Sequence, residues 1–223
     1  MSLEEFVADT DKIVLKFGTN SLTKGTGNTL NMATLASIAR FTDYLYTEGK
    51  KPLIVTSGAV ASGMELYGLT ERPTDPTELQ DLSAEGFREL WNAYANAFSQ
   101  YGINTVYLPV TSHSFRTHEE ITNIRQIIER SWQNKRITLW NTNDALTNEE
   151  LVKKAQISGG YSDNDPLAKD LAICILADGL AFFTDEGIHG TGGGYSKKTA
   201  IDGARERGIS VAVFSIDEVT TFK

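Results

Sequence analysis

Short apolar runs alternate with longer stretches of helical periodicity along most of the chain. The first run, at residues 13–17, contains a single lysine, Lys16, and is followed at once by Gly18. Such a run is typical of a strand buried on both faces, as in parallel sheets. Five further strands are predicted from similar runs, at residues 52–55, 103–108, 137–140, 180–183 and 211–214.

Between these runs, apolar residues recur at the spacing of amphipathic helices. The clearest segments run from the predicted N-cap Asn31 to Glu48 and from residue 78 to 101. Strands that alternate with helices in this way predict an α/β protein, a three-layer αβα sandwich with a mainly parallel central sheet. Further helices are predicted directly after Gly58, at residues 119–133 and 164–177, and from the glycines at 190–194 to about Arg207.

The composition and charge of the chain limit the kinds of molecule that it is expected to bind. The chain has 223 residues, 40% of them hydrophobic, and a net charge of -8, which is ordinary for a globular domain. No basic patch or arginine-rich run is present, so nucleic acid is not an expected partner. An acidic protein that binds a nucleotide has to concentrate its lysines locally.

Three smaller features set further expectations. Cys174 is the only cysteine, which excludes an internal disulfide and favours a small core residue. Trp91, Trp132 and Trp140 lie in apolar segments and are predicted core residues. The three histidines lack metal-ligand spacing. The acidic N-terminus has no signal-type segment and no apolar run is long enough for a membrane helix, so a cytoplasmic protein without a membrane partner is expected.

Polar residues directly follow four of the predicted strands. These are Lys16, Ser57, Asp144 and Asp185. The carboxyl ends of parallel strands share one edge of the sheet, and ligands bind at that edge in open α/β folds. The pattern therefore predicts a functional site there.

The residues near this edge suit phosphoryl transfer. That reaction needs cations on the transferring group and a carboxylate that organises a metal or the cations. Lys16 supplies one cation, and Lys197 or Lys198, beyond the glycines at 190–194, supplies another. Glycines let backbone N–H groups approach phosphate oxygens closely.

The segment Asp163-Asn164-Asp165 precedes Pro166 and a predicted helix. One of these residues can simply cap that helix. Capping uses only one of them, however, and the two carboxylates repel each other. Mg²⁺ or a nearby lysine would relieve this repulsion.

In several motifs the sequence resembles the amino acid kinase family, and specifically its glutamate 5-kinase branch. The motifs occur in order and cover nearly the whole chain. The stretch at residues 55–63, VTSGAVASG, and the glycine loop at 190–193 are the most specific. The others are residues 14–19, 141–144, 162–165 and 184–185, with Lys197 beyond the loop.

The resemblance implies an amino acid kinase-like fold and the ATP-dependent phosphorylation of the γ-carboxylate of L-glutamate to glutamyl 5-phosphate, the first step of proline biosynthesis. It also implies ATP and Mg²⁺ as cofactors, with Mg²⁺ carried on ATP near Asp163 and Asp165. The implied catalytic residues are Lys16, Asp165 and Lys197. The implied glutamate-binding residues are Ser57, Asn141, Asp144 and Asn164. The implied nucleotide-binding residues are Lys16, Gly18, Thr184, Asp185, Thr191, Gly192, Gly193, Gly194 and Lys197.

The same resemblance implies one domain over residues 1–223, with an acceptor-binding part at 1–160 and a nucleotide-binding part at 161–223. The second part is expected to be shortened, because only residues 186–189 stand where the family usually has some tens of residues. A short form without the additional C-terminal domain of many bacterial members is expected. Thr142 occupies a position where the family usually has glutamate.

Two alternatives to an active glutamate kinase stay open. One is a catalytically weak paralogue that binds a metabolite or a partner. The other is a family member with a different acceptor, such as another amino acid or a phosphate monoester. Asp144 with Asn164 favours an amino acid, whereas Arg116 and Arg125 are arginines of the kind that a phosphate acceptor would need. The long apolar-faced helices at 31–48 and 78–101 predict a homo-oligomer.

Overall fold

The computed structural model describes residues 1–26, 29–146, 164–185 and 194–222, without the side chains of residues 194 and 195. The described residues form six strands and nine helices, joined by loops. The strands are β1 Lys12–Phe17, β2 Lys51–Thr56, β3 Asn104–Val110, β4 Arg136–Thr142, β5 Gly179–Thr184 and β6 Ser210–Ser215. The helices are α1 Leu3–Ala8, α2 Thr19–Leu22, α3 Met32–Thr47, α4 Ala59–Leu66, α5 Pro76–Ser99, α6 His118–Gln133, α7 Asn164–Ile175, α8 Gly194–Arg205 and α9 Ile216–Thr220.

The six strands form one sheet in the order β3-β4-β2-β1-β5-β6. Every pairing is parallel. In the centre, Lys16 of β1 lies between Val55 of β2 and Phe182 of β5. Chain order reverses on either side of β1, and this is where open α/β folds place their ligands.

Helices cover both faces of the sheet, so the fold is the predicted α/β sandwich. One core cluster joins the sheet to α1, α3, α5 and α9, and the other joins it to α6, α7 and α8. Side chains alternate between faces along a strand. Leu15 and Phe17 therefore point to the first layer, while Val14 points to the second. Lys16 shares the face of Val14, which is the face on which α7 lies.

Two glycines let α4 and α5 pack with their backbones in contact. A Cβ atom on Gly86 would lie 1.8 Å from the carbonyl oxygen of Ala59, and one on Gly63 would lie 2.0 Å from that of Leu82. No side chain fits at such distances, because the obstructing atoms belong to the backbone. Gly86 therefore fixes the first turn of α4 against α5.

All six predicted strands and the six predicted helices are confirmed, with shifts of a few residues at their ends. Asn31 caps α3 as expected, accepting hydrogen bonds from the N–H groups of Ala33 and Thr34. The short helices α1, α2 and α9 were not predicted. The sequence does contain a start signal for α1 and α9, because Ser2 with Glu5 and Ser215 with Glu218 each form a capping box.

The tryptophan prediction is correct for Trp140, which is fully buried, and wrong for Trp91. Trp91 is 40% exposed, because it lies at the side of α5 where its indole N–H donates to Thr105 on the edge strand β3. Trp132 is half-buried and donates to the carbonyl oxygen of Pro52. Cys174 is buried, as predicted.

The apolar faces of α3 and α5 pack inside the chain. Leu35 and Ile38 of α3 and Leu90 and Tyr94 of α5 belong to the first core cluster. These faces are therefore not available to a second copy, and the predicted homo-oligomer stays a prediction without this support. Within the described part of the chain, no helix combines the length and the apolarity needed to cross a membrane.

Candidate active site

The carboxyl ends of the central strands carry the polar residues that the sequence singled out. Lys16 lies near the end of β1, Ser57 follows β2, Asn141 lies in β4 and Thr184 ends β5. The N–H group of Ser57 donates to the carbonyl oxygen of Phe17, which holds the ends of β1 and β2 together. The edge of the sheet thus gathers these residues as the parallel topology requires.

A buried ion pair lies at the centre of this edge. The Nζ atom of Lys16 is 2.5 Å from Oδ1 of Asp165, and both side chains are at least nine-tenths buried. Lys16 reaches Asp165 because it lies on the face of the sheet covered by α7, whose second residue is Asp165. A lysine in a buried strand is costly unless an anion meets it, and Asp165 is that anion.

The ammonium group of Lys16 also lies over Gly18. A Cβ atom at Gly18 would be 3.7 Å from Nζ of Lys16, an ordinary van der Waals contact. Gly18 precedes α2 in an extended conformation with a φ of -82°, so the backbone there does not require glycine.

Asn164 joins three segments through its side-chain amide. Its Nδ2 group donates to Oγ of Ser57 at 3.0 Å and to Oδ1 of Asn141 at 2.9 Å. Its Oδ1 atom accepts from the N–H group of Thr142 at 3.0 Å. Asn164 is fully buried. A buried amide with these three bonds fixes the ends of β2 and β4 relative to the start of α7.

Asp144 is a buried carboxylate next to this amide network, just beyond β4. Tyr107 of β3 lies beside it. Burial raises the pKa of the Tyr107 phenol, a contact with Asn141 opposes this shift, and the charge of Asp144 adds to it. The phenol therefore stays neutral at physiological pH.

A cleft opens above these residues. Its walls combine the amide network with the first turn of α4 and with one residue of the segment between α4 and α5. The lining residues are Thr19, Ser57, Gly58, Ala59, Val60, Ala61, Arg72, Asn141 and Asp144. Gly58 adopts a φ of +111° directly before α4, a conformation that favours glycine.

The other half of the edge is built around β5. Ser21 of α2 donates to the carbonyl oxygen of Phe183, and Asp185 follows the strand. Lys24 binds Asp185 at 3.0 Å and Asp217 at 2.8 Å. Asp185, a residue implied to bind the nucleotide, is therefore held in an ion pair with Lys24, which the sequence did not suggest.

Lys197 is the second cation implied by the sequence. It lies in the first turn of α8 and is buried, whereas its neighbour Lys198 is exposed. Helix α8 packs against α7, which carries Asp165. Lys197, which the resemblance singles out, is therefore the buried one of the two lysines, and its role in catalysis stays a prediction. Thr184 is half-buried at the end of β5.

Some of the implied site residues lie outside the described part of the chain. They are Asp163, Thr191, Gly192 and Gly193. Gly194 is described only as the first backbone position of α8. Among the described residues, no group of three or more His, Cys, Asp or Glu side chains could hold a metal ion.

The structure adds residues that the sequence reasoning missed. Arg72 lines the cleft, and Tyr107 lies beside Asp144. Arg72 had a weak signal, as the only cation in the acidic segment 64–81. Arg125, in contrast, donates to the carbonyl oxygen of Cys174 near the far end of α7, so it is not part of the cleft.

The fold and the cleft define an α/β protein with a cleft at the carboxyl edge of a parallel sheet and a buried lysine–aspartate pair at the centre of that edge. The sequence pattern of the amino acid kinase family matches residues 11–199. The chain therefore belongs to the amino acid kinase family.

Individual relatives are consistent with this family. A glutamate 5-kinase of Prochlorococcus marinus is 33% identical over 173 residues, covering 77% of this chain and 45% of the relative. One from Aquifex aeolicus is 33% identical over 79% of this chain and 48% of its own length. A third, from Symbiobacterium thermophilum, is 30% identical over 78% of this chain and 63% of its length. The chain thus spans about half to two thirds of these relatives.

A solved structure supports the same fold. The UMP kinase of Bacillus anthracis superimposes with a TM-score of 0.58, covering 93% of this chain and 88% of that one, at 13% sequence identity. At this identity the likeness concerns the fold alone. The amino acid kinase-like fold expected from the sequence is confirmed.

Proposed function

We propose that this chain transfers the terminal phosphoryl group of ATP to the γ-carboxylate of L-glutamate, giving glutamyl 5-phosphate and ADP, the first step of proline biosynthesis. The observation that carries the proposal is the buried pair of Lys16 and Asp165 beside the amide network of Asn164. Its likeness to the glutamate 5-kinases supports the choice of acceptor.

In this proposal the two halves of the edge take different substrates. The acceptor-binding part, residues 1–160 together with Asn164, holds glutamate through Ser57, Asn141 and Asp144. The nucleotide-binding part, residues 161–223, holds ATP through the segment around Thr184 and Asp185 and through residues 191–197. Lys16 lies between the halves in β1, where it can contact the group in transit.

The proposed chemistry relies on positioning and charge. An oxygen of the γ-carboxylate attacks the terminal phosphorus of ATP, and the bond from phosphorus to the bridging oxygen breaks as ADP leaves. The ammonium group of Lys16 neutralises the negative charge on the transferring oxygens, with Lys197 as the second cation. Asp165 orients Lys16 through the ion pair at 2.5 Å.

The described residues fit Mg²⁺ only as an ion carried on ATP. Mg²⁺ usually keeps several waters and is bound by one or two carboxylates together with substrate phosphates, and Asp165 supplies a carboxylate at this edge. When bound, Mg²⁺ would neutralise charge on the phosphates of ATP.

The direct test is an assay for the acyl phosphate. Purified chain, ATP and Mg²⁺ are incubated with L-glutamate and hydroxylamine, which traps an acyl phosphate as a hydroxamate, while ADP is measured in parallel. We expect ADP and hydroxamate in equal amounts, both dependent on glutamate. ADP without hydroxamate would indicate ATP hydrolysis, and neither product from folded protein would reject the proposal.

A panel of acceptors in the same assay separates the alternatives. Aspartate, N-acetylglutamate and a nucleoside monophosphate replace glutamate in turn. Turnover with one of these and not with glutamate would identify a family member with another acceptor. Glutamate binding by calorimetry without turnover would instead identify a catalytically weak paralogue.

A further inference from the structure

Two buried hydroxyl groups connect α5 to the acceptor side of the cleft. Tyr94 of α5 and Thr56, the last residue of β2, are both fully buried. Their hydroxyl oxygens are 2.9 Å apart, and the hydroxyl oxygen of Thr56 lies 3.0 Å from the carbonyl oxygen of Ser57. The proposed function uses the side chain of Ser57 but gives no role to Tyr94 or Thr56.

The chemistry of these groups fixes the direction of the hydrogen bonds. A carbonyl oxygen can only accept, so the hydroxyl of Thr56 donates its one hydrogen to Ser57. Tyr94 must then donate to Thr56. Burial raises the pKa of the Tyr94 phenol, so the phenol keeps the proton that it donates. Because hydrogen bonds in a chain polarise one another, Tyr94 strengthens the bond from Thr56 to Ser57.

Ser57 is held from both helical layers of the fold. Its N–H group donates to the carbonyl oxygen of Phe17, and its Oγ atom accepts from the side-chain amide of Asn164 on α7. Its carbonyl oxygen accepts from Thr56, which Tyr94 holds from the opposite layer. Separate groups therefore fix the backbone and the side chain of Ser57.

The bond to the carbonyl oxygen of Ser57 has a particular effect because glycine follows. Gly58 has a φ of +111°, and glycine adopts positive and negative φ about as readily. Gly58 by itself therefore does not determine the orientation of the peptide group that joins it to Ser57. The hydroxyl of Thr56 selects one orientation, because it binds the carbonyl oxygen of that peptide group.

The orientation of Ser57 decides what its hydroxyl group can bind. Its Oγ atom accepts from the NH₂ group of Asn164, which can only donate. The hydrogen of the Ser57 hydroxyl therefore remains for another acceptor. Ser57 lines the cleft, and an ionised carboxylate of a substrate is an acceptor of this kind.

We propose that Tyr94 is a positioning residue for the carboxylate acceptor. Through Thr56 it fixes the peptide group between Ser57 and Gly58, and thereby the hydroxyl of Ser57 at the cleft. This inference rests on the proposed function, because it takes Ser57 to bind the substrate that accepts the phosphoryl group. Tyr94 is fully buried and acts only through Thr56.

The test removes the two hydroxyl groups separately and together. Tyr94→Phe keeps the ring and removes the phenol, and Thr56→Val keeps the branched shape and removes the second hydroxyl. The control is Tyr46→Phe, because the phenol of Tyr46 also donates to a backbone carbonyl oxygen, that of Arg136 at the opposite end of the sheet. Hydroxamate formation gives the KM values, calorimetry gives the Kd for glutamate, and NMR without ligand records the amide nitrogen signal of Gly58.

We expect Tyr94→Phe to raise the KM and the Kd for glutamate by about 3- to 10-fold, the usual effect of losing one neutral hydrogen bond. The KM for ATP should change less than about twofold, since Ser57 lies on the acceptor side. Thr56→Val should raise the KM for glutamate by about 10- to 100-fold, because it leaves the buried carbonyl oxygen of Ser57 without its donor. Thr56→Ser, which keeps the hydroxyl, should resemble the unaltered chain.

Two further results distinguish positioning from a general loss of stability. The double variant Tyr94→Phe with Thr56→Val should have the KM for glutamate of Thr56→Val alone, because Tyr94 acts only through Thr56. The amide nitrogen signal of Gly58 should shift in both single variants, because this nitrogen belongs to the same peptide group as the carbonyl of Ser57. Tyr46→Phe should change neither quantity.

The inference and the proposed function fail in different ways. An unchanged KM for glutamate in Tyr94→Phe, equal rises in the KM for glutamate and for ATP, or additive effects in the double variant would overturn the inference and leave the kinase proposal intact. No turnover by the unaltered chain, with a Gly58 signal that shifts in Tyr94→Phe and not in Tyr46→Phe, would reject the kinase proposal and support the positioning of Ser57 by Tyr94. No turnover and no such shift would overturn both.

Discussion

The two halves of the sheet edge are built in different ways. On the acceptor side, Ser57, Asn141 and Asn164 are buried and joined directly by hydrogen bonds between their side chains. On the side of β5, Asp185 is about one-third exposed and is held by Lys24, which is exposed to a similar degree. The acceptor side is thus fixed by a buried amide, whereas the described part of the other side is fixed by ion pairs in contact with water.

This difference has an energetic meaning. A buried hydrogen-bonding group that loses its partner costs about 1–3 kcal/mol, whereas an exposed ion pair contributes about 0–1 kcal/mol. Changes on the acceptor side should therefore affect both stability and activity. Changes at Lys24 should have small effects that depend on salt. Lys16 lies between the two halves, and its loss should have the largest effect of all.

The largest effect is expected at the buried ion pair. Lys16→Met should lower turnover by at least about 100- to 1000-fold, because it removes a cation from the transferring group. It should also lower the free energy of unfolding by up to about 3–5 kcal/mol, since buried Asp165 loses the ammonium group that it pairs with. Urea unfolding and the hydroxamate assay measure the two effects.

The double variant Lys16→Met with Asp165→Asn separates chemistry from stability. It removes both charges, so most of the lost stability should return while turnover stays low. If the double variant regained activity together with stability, the pair would have a structural role only, and the phosphoryl-transfer role of Lys16 would be wrong.

The next largest effect is expected at Asn164. Asn164→Leu leaves the N–H group of Thr142 and the side chains of Ser57 and Asn141 without their partner, so we expect a loss of about 3 kcal/mol in the free energy of unfolding. The KM for glutamate should rise at least about tenfold, and the KM for ATP should change much less. Asn123→Leu, on the exposed face of α6, is the matched control. Equal changes in both KM values would mean that the two halves are not independent.

A smaller effect on stability and on the KM for glutamate is expected from Gly86→Ala. This variant tests the packing that holds the first turn of α4 at the cleft. The added Cβ would lie 1.8 Å from the carbonyl oxygen of Ala59, so α4 has to move, and overpacking of this kind costs about 1–3 kcal/mol. The KM for glutamate should rise through the displaced first turn of α4. Gly203→Ala in α8 is the control, since its Cβ would meet only the flexible side chain of Lys169 at 3.2 Å. A Gly86→Ala chain with unchanged stability would contradict the close packing of α4 and α5.

The smallest effect is expected from Lys24→Ala. The pair with Asp217 and Asp185 raises the pKa of Lys24 above its ordinary value of 10.5. Because the pKa is raised on folding, the stabilisation is fully present below 10.5 and is lost only as the pH rises through the folded value. The difference in stability between Lys24→Ala and the unaltered chain should thus be below about 1 kcal/mol, constant from pH 6 to 9, and weaker in high salt. A difference that varied within that pH range would point to another titrating group.

Most strands and helices could be predicted from the sequence, because each depends on a pattern of residues that are close together in the chain. An unbroken apolar run gives a strand, and helical spacing with a cap such as Asn31 gives a helix. The short helix α2 has four residues, too few to show a period, and it was missed. The apolar neighbours of Trp91 predict a core position, although only the position of α5 relative to the edge strand β3 decides its exposure.

The candidate site was readable only in part. The ends of parallel strands lie at the same edge of a sheet. The sequence could therefore predict that Lys16, Ser57 and Asp144 lie near one another. Arg72 follows no strand and lies in a charged segment that reads as a surface loop. It joins the cleft because the two glycines bring α4 and α5 together.

The sequence by itself determined the order of strands and helices and the family. It also predicted which edge of the sheet carries the candidate site. Each of these follows from patterns that span a few residues. Only the tertiary structure decided which groups meet. Ser57 and Asn164 are 107 positions apart in the chain, and Lys16 and Asp165 are farther apart still. No local pattern encodes such contacts, because they depend on how the sheet and its two helical layers pack.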